Sequence, residues 1–163
     1  MDRGYIHYYY GSWCGKTSLC LGHILRALGH NLRPLVIQFL KKHDPSHKEG
    51  FFYGEYPILT DHLNVPVIQY GSHHFLISEE DIEAVKKEGI YSSVITDLRK
   101  IFNNWENEPY DILILDELAV LLDLEIIDND ELIDLLKHKP MQMEILISGR
   151  TKKEWALENV EHV

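Results

Sequence analysis

The chain has 163 residues, 45% hydrophobic and 26% charged, which suits a single domain over residues 1–163 with a substantial core. Its 26 acidic residues against 16 Lys and Arg give a formal charge of −10, which disfavours general binding to nucleic acid or to an anionic membrane surface. No run approaches the ~18 apolar residues of a membrane span, and Met1-Asp2-Arg3-Gly4 does not open a secretory signal, so a cytoplasmic location is expected.

Strand-like and helix-like segments alternate along the chain, the pattern of a parallel sheet with crossover helices. Residues 5–10 (YIHYYY) are rich in β-formers and stop at Gly11. A helix is expected from Lys16 to Ala27 or Leu28, with Leu19, Leu21, Ile24, Leu25 and Leu28 as its apolar positions and Gly29 as its stop. Residues 34–39 (PLVIQF) read as a buried second strand. Residues 41–50 are polar and read as a loop, and residues 51–63 as a short helix with irregular ends.

A third strand is expected over residues 65–70 (VPVIQY), with Pro66 near its start, where a missing N–H is tolerated. Ser78 followed by Glu79, Glu80 and Asp81 marks a helix start, and that helix is expected to run to about Trp105 with Gly89 as a weak point. Residues 110–115 are almost continuously apolar and end in Asp116-Glu117. A short amphipathic helix is expected over residues 129–137, then a buried strand over 143–148, then Gly149-Arg150. A helix over residues 152–158 and an edge strand over 160–163 complete the expected elements.

The chemistry concentrates in Gly11-Ser12-Trp13-Cys14-Gly15-Lys16-Thr17-Ser18. This is one residue shorter than the common phosphate loop G-x-x-x-x-G-K-[ST], but it follows a strand and opens a helix, as that loop must. Glycines let backbone N–H groups turn towards phosphate oxygens, and the helix start adds partial positive charge. Lys16 is placed to meet terminal phosphates and Thr17 to ligate Mg²⁺. Asp116 and Glu117, at a strand's carboxyl end, are candidates to hold the same metal, or else to cap the next helix. Arg150 ends another strand, where it either neutralises phosphate or forms a surface salt bridge. Gln38 either points into the same crevice or is a core-edge amide.

Cys14 and Cys20 are too few for a closed zinc site and are expected to be packing thiols, with redox control through Cys14 the sharper alternative.

Together these segments resemble the P-loop ATP:corrinoid adenosyltransferases. The family also carries the shortened loop G-x-x-x-G-K-T. Arg26-Ala27-Leu28-Gly29-His30, then Arg33 and Val36-Ile37-Gln38-Phe39-Leu40-Lys41, resemble its RALGH and V-QFLK blocks. Tyr53-Gly54-Glu55, Leu115-Asp116-Glu117-Leu118, residues 128–140 and Ser148-Gly149-Arg150 resemble further blocks, in order. The resemblance implies a three-layer, RecA-like P-loop NTPase fold, with a mostly parallel sheet flanked by helices. It implies transfer of the 5′-deoxyadenosyl group of ATP to Co(I) of a reduced corrinoid, with release of triphosphate. Mg²⁺, a reductase or flavodoxin-like electron donor and a homodimer are implied with it.

The family's G-x-G-F-x-W segment, whose aromatics crowd the lower corrinoid face, appears here as Gly71-Ser72-His73-His74-Phe75-Leu76. Phe75 keeps an aromatic, while His73 and His74 either approach the corrinoid or are loop histidines. Ala119 stands where the family often has Asn or Thr, and the family's basic, glycine-containing tail is not matched. Two other functions fit the same loop: an ATPase or small-molecule kinase using Glu117 to orient water or an acceptor hydroxyl, and a binding module without turnover.

Overall fold

The computed structural model describes residues 3–12, 14–44, 46, 53–71 and 79–152. Within them five strands, β1 (Ile6–Tyr10), β2 (Pro34–Phe39), β3 (Val67–Tyr70), β4 (Ile112–Asp116) and β5 (Glu144–Gly149), form one sheet in the order β1-β5-β4-β2-β3. Every pairing is parallel. Strands β2 and β4 are buried along their whole length, as expected for β-branched and leucine-rich strands covered on both faces.

The order runs from β1 to β2 to β3 in one direction, then returns through β4 to β5. Right-handed crossovers therefore place the two sets of connections on opposite faces. The alternation along the strands confirms this. Val36, Ile112, Ile114 and Leu146 pack with Cys20, Ile24 and Ala27 of helix α1 (Lys16–Gly29). Leu35, Ile37, Phe39, Leu113, Leu115, Ile145 and Ile147 pack on the other face with α4 (Val94–Asn103), α5 (Leu118–Asp123) and α6 (Asn129–Lys137). The result is the three-layer α/β arrangement of the P-loop class.

Helix α1 buries Cys20, Ile24 and Ala27, whereas Leu19 and Leu25 are exposed. Of the expected apolar positions, Ile24 is buried and Leu21 and Leu28 pack against the same cluster, with Cys20 and Ala27 completing the stripe that faces the sheet. After β2, residues 55–57 form the single turn α2 (Glu55–Pro57), continued by a π-helical turn over Ile58–His62. The third strand begins only after Pro66, whose carbonyl accepts Val36 N–H.

The long helix expected to reach Trp105 is two helices, α3 (Glu79–Glu88) and α4. Gly89 sits between them at φ +65, a conformation that ends a helix cheaply only in glycine. Helix α5 was not expected from the sequence, since six residues of LAVLLD carry no helical period that differs from a strand's apolar run. Helix α6 begins at Asp128, whose carboxylate accepts Glu131 N–H. The elements expected over residues 153–163, the cap at Ser78 and the segment 72–78 lie outside the described residues.

Candidate functional site

The carboxyl ends of the parallel strands form one edge, and the phosphate-loop sequence closes it. Gly15 has φ +108 and lies immediately before α1. A Cβ there would meet nothing within 4 Å, so glycine is demanded by the backbone and not by space. A cleft of about 460 Å³ is lined by Tyr10, Gly11, Ser12, Cys14, Gly15 and Lys16. Lys16 Nζ lies across its own loop and donates to Gly11 O at 2.7 Å. Ser18 is exposed on the first turn of α1, and Trp13 is outside the described residues.

A polar row runs along this edge on the α1 face. Gln69, Gln38, Asp116 and Ser148 come from β3, β2, β4 and β5. Gln38 is in register with both Gln69 and Asp116, and Ser148 Oγ donates to Asp116 Oδ1 at 2.8 Å. Gln38, Asp116 and Ser148 are the three buried polar side chains among the described residues. Each is satisfied: Gln69 Nε2 donates to Gln38 Oε1, and Gln38 Nε2 donates to Glu55 Oε1.

Thr17 Oγ1 lies 3.1 Å from Asp116 Oδ2, so the phosphate loop and the acidic strand end meet across 99 residues of sequence. Between them sits Lys41. Its Nζ donates to Asp116 Oδ2 at 2.8 Å, Glu55 Oε1 at 3.1 Å and Thr17 Oγ1 at 3.2 Å, and lies 5.5 Å from the centre of the Tyr53 ring. Burial alone would push this ammonium down, but the Asp116 and Glu55 carboxylates outweigh it and hold it above the ordinary lysine value.

Glu117 does not join this cluster. Its backbone, at φ 64, turns out of the strand and its N–H donates to Ser148 Oγ. Its carboxylate faces Arg150, with Oε2 3.5 Å from Nε, and that oxygen is buried without a hydrogen bond. Arg150 itself is largely exposed at the same edge. Cys20 is buried beneath the loop, where desolvation and then the Asp116 charge push its thiol up to about 12, so it packs. Cys14 is exposed and does not pack, because the loop carries it away from the core.

The arrangement offers an anion cradle in the loop and an all-oxygen pocket of Thr17, Asp116 and Glu55 that already accommodates one positive charge. Hard oxygen donors around a resident cation fit Mg²⁺. The unbonded Glu117 Oε2 is a further acceptor at the same edge.

The family described as ATP:corrinoid adenosyltransferase BtuR/CobO/CobP matches residues 2–163. The chain belongs to the ATP:corrinoid adenosyltransferase family. The description of that family names ATP and a corrinoid as what its transferases act on. The corrinoid adenosyltransferase of Escherichia coli (strain K12) is 26% identical over 150 residues, covering 91% of this chain and 69% of that protein. The corrinoid adenosyltransferase of Pseudomonas aeruginosa is 23% identical over 163 residues, 99% of this chain and 74% of that protein. An uncharacterized protein of Nostoc sp. is 26% identical over 158 residues, 90% of this chain but 39% of its own length. This chain therefore spans well under half of the Nostoc protein.

Within this family member the site residues that sequence reasoning missed are Lys41, Glu55 and Ser148. Each stands in a segment that resembles a family block, yet Lys41 follows β2, Glu55 opens α2 and Ser148 lies near the end of β5, with no local pattern that announces a partner. The candidates His73, His74 and Phe75 follow Gly71 at the end of β3 and lie outside the described residues. Among the described residues no helix is long and apolar enough to cross a membrane.

Proposed function

We propose that this adenosyltransferase-family chain transfers the 5′-deoxyadenosyl group of ATP to Co(I) of a reduced corrinoid and releases triphosphate. The observation that carries the reading is the meeting of Thr17 with Asp116 beside Lys16, at the carboxyl edge of the sheet. In this transfer the cobalt of the substrate forms a bond to C5′ while the C5′–O bond breaks, and the electron pair leaves on triphosphate. The cobalt is itself the nucleophile, so the protein must orient C5′ and stabilise the leaving charge, with no side-chain base required.

The loop N–H groups of residues 11–18 and the start of α1 hold the phosphates. Lys16 leaves the Gly11 carbonyl and turns to the terminal phosphates. Thr17 and Asp116 would hold Mg²⁺, and Glu117, whose carboxylate faces Arg150, would offer a further oxygen from the same sheet edge. When bound, that ion neutralises part of the charge that develops on the triphosphate. Arg150, paired with Glu117 at the same edge, adds a second positive group. Gln38 anchors Glu55 and so shapes the wall of the pocket. The segment after Gly71, with His73, His74 and Phe75, approaches the corrinoid. A cytoplasmic homodimer served by a reductase or flavodoxin-like donor belongs to the same proposal.

The test is anaerobic incubation with ATP, Mg²⁺ and chemically reduced cobalamin, followed by the absorbance of the cobalt–carbon product and chromatography of the phosphate product. Triphosphate and an adenosylated corrinoid are expected. ADP and phosphate without a cobalt–carbon bond would sink the proposal. Lys16→Ala removes the cation that meets the leaving group, so turnover should fall by ~100-fold or more. Near-normal turnover in that variant would exclude the phosphate-loop mechanism.

A further inference from the structure

Asp116 is 1% exposed and Lys41 12% exposed, so the carboxylate and the ammonium beside it are held largely away from water. A buried carboxylate without a counter-charge is costly, and Lys41 supplies that charge here. All three ammonium protons are directed at acceptors, namely Asp116, Glu55 and Thr17. Two of those acceptors are the oxygens to which the proposed function assigns the divalent cation.

Magnesium binds oxygen at about 2.0–2.1 Å, directly or through its own waters. Such an ion, bound directly to Thr17 and Asp116 on the side that the ammonium occupies, overlaps an ammonium 3.2 Å from the same hydroxyl and 2.8 Å from the same carboxylate. Like charge adds to the conflict. The ammonium therefore moves when the metal takes that position. Its remaining partner, Glu55, is the more exposed of its two carboxylates. The Lys41 stem leaves the sheet just after Leu40, a non-glycine residue at φ 60, and Leu40 is pinned by its N–H to Tyr70 O. The base of the stem is thus fixed while its four-carbon side chain can pivot on Glu55.

We propose that Lys41 is a tethered counter-ion that neutralises Asp116 in the ligand-free protein, yields the Thr17–Asp116 pocket to the divalent cation, and turns on Glu55 to meet the nucleotide polyphosphate. The inference rests on the proposed function of the site and adds a substrate-binding residue to it. It has a signature that a static salt bridge lacks. Removing the ammonium should help a bare metal ion and harm nucleotide.

The experiment uses the full chain and two ligands measured separately by calorimetry: Mn²⁺ alone, and ATP in the presence of Mg²⁺. Lys41→Met is expected to bind Mn²⁺ roughly tenfold more tightly than the unaltered chain, and ATP roughly tenfold more weakly. Lys41→Gln, which keeps a neutral donor for Asp116, serves if the methionine variant does not fold and should shift both affinities in the same opposite directions. Circular dichroism verifies folding of whichever variant is used. A folded variant with unchanged Mn²⁺ affinity, or with both ligands weakened together, overturns the inference while leaving the proposed function standing. Failure of the unaltered chain to bind ATP with Mg²⁺ overturns both.

Discussion

Asp116 is held by three side chains from three different elements: Thr17 from α1, Ser148 from β5 and Lys41 from the end of β2. Ser148 Oγ is fully buried and does two tasks, donating to Asp116 and accepting the N–H of Glu117. Ser148→Ala leaves both groups short of a partner in a dry site. Hydrogen bonds to charged groups contribute about 1.5–3 kcal/mol, so the variant should lose roughly 2 kcal/mol in a urea unfolding series. An unchanged midpoint would mean that water replaces the hydroxyl. At this scale the sequence is informative only where chemistry is contiguous. Gly15, Lys16 and Thr17 are adjacent, and the roles proposed for them follow from their order. Lys41, Glu55 and Ser148 are separated by long stretches, and each by itself is an ordinary polar residue.

The contact of β5 with α5 depends on the absence of side chains. A Cβ built on Gly149 would stand 2.4 Å from Ala119 Cβ and 2.8 Å from Tyr8 Oη. Ala119 is fully buried, which gives a packing reason for a small residue at this position. Gly149→Ala forces α5 outward and should cost ~1–3 kcal/mol, read as a lowered urea midpoint. A midpoint equal to that of the unaltered chain would show that α5 yields freely.

Strand β3 and helix α4 are joined by Tyr70 Oη donating to Asp97 Oδ2 at 2.7 Å. Hydrogen bonds from Lys100, then Tyr70, then Ser93, pull the Asp97 carboxyl from 3.8 to about 2. A depressed carboxyl stabilises the fold above its unfolded value, and that stabilisation is lost as pH falls through the folded one. The stability gap between the unaltered chain and Asp97→Asn should therefore be constant above about pH 5 and close progressively between pH 4 and pH 2. Chemical unfolding across that range measures it, and a gap independent of pH would contradict the assignment. The elements themselves are legible where periodicity and stop signals agree, as in α6 with Asp128 before it and Pro140 after it. Helix α5 is not, because its six apolar residues fit a strand as well as a helix.

At the level of the whole molecule, the site is built on the sheet and not on one loop. Its polar row crosses β3, β2, β4 and β5, and both cores are anchored to those strands. Ligand bound there stabilises the entire fold by mass action. ATP with Mg²⁺ at about 100 times Kd adds roughly 2.7 kcal/mol, which for a domain of this size raises Tm by ~5–10 °C. Lys16→Ala should abolish most of that rise in a thermal melt. A full rise in the variant would place nucleotide elsewhere.

The sequence by itself determines the alternating α/β class, the shortened phosphate loop and the family, because these depend on local order: apolar runs, glycine and proline punctuation, and adjacent functional groups. The tertiary structure decides which strands are neighbours and what meets at their ends. Strand order and parallel register bring Lys41 and Glu55 to Thr17 and Asp116, and set Ser148 against Asp116. No local pattern encodes that convergence. It follows from where right-handed crossovers place each strand in the sheet, and from the need of a buried carboxylate for a counter-charge.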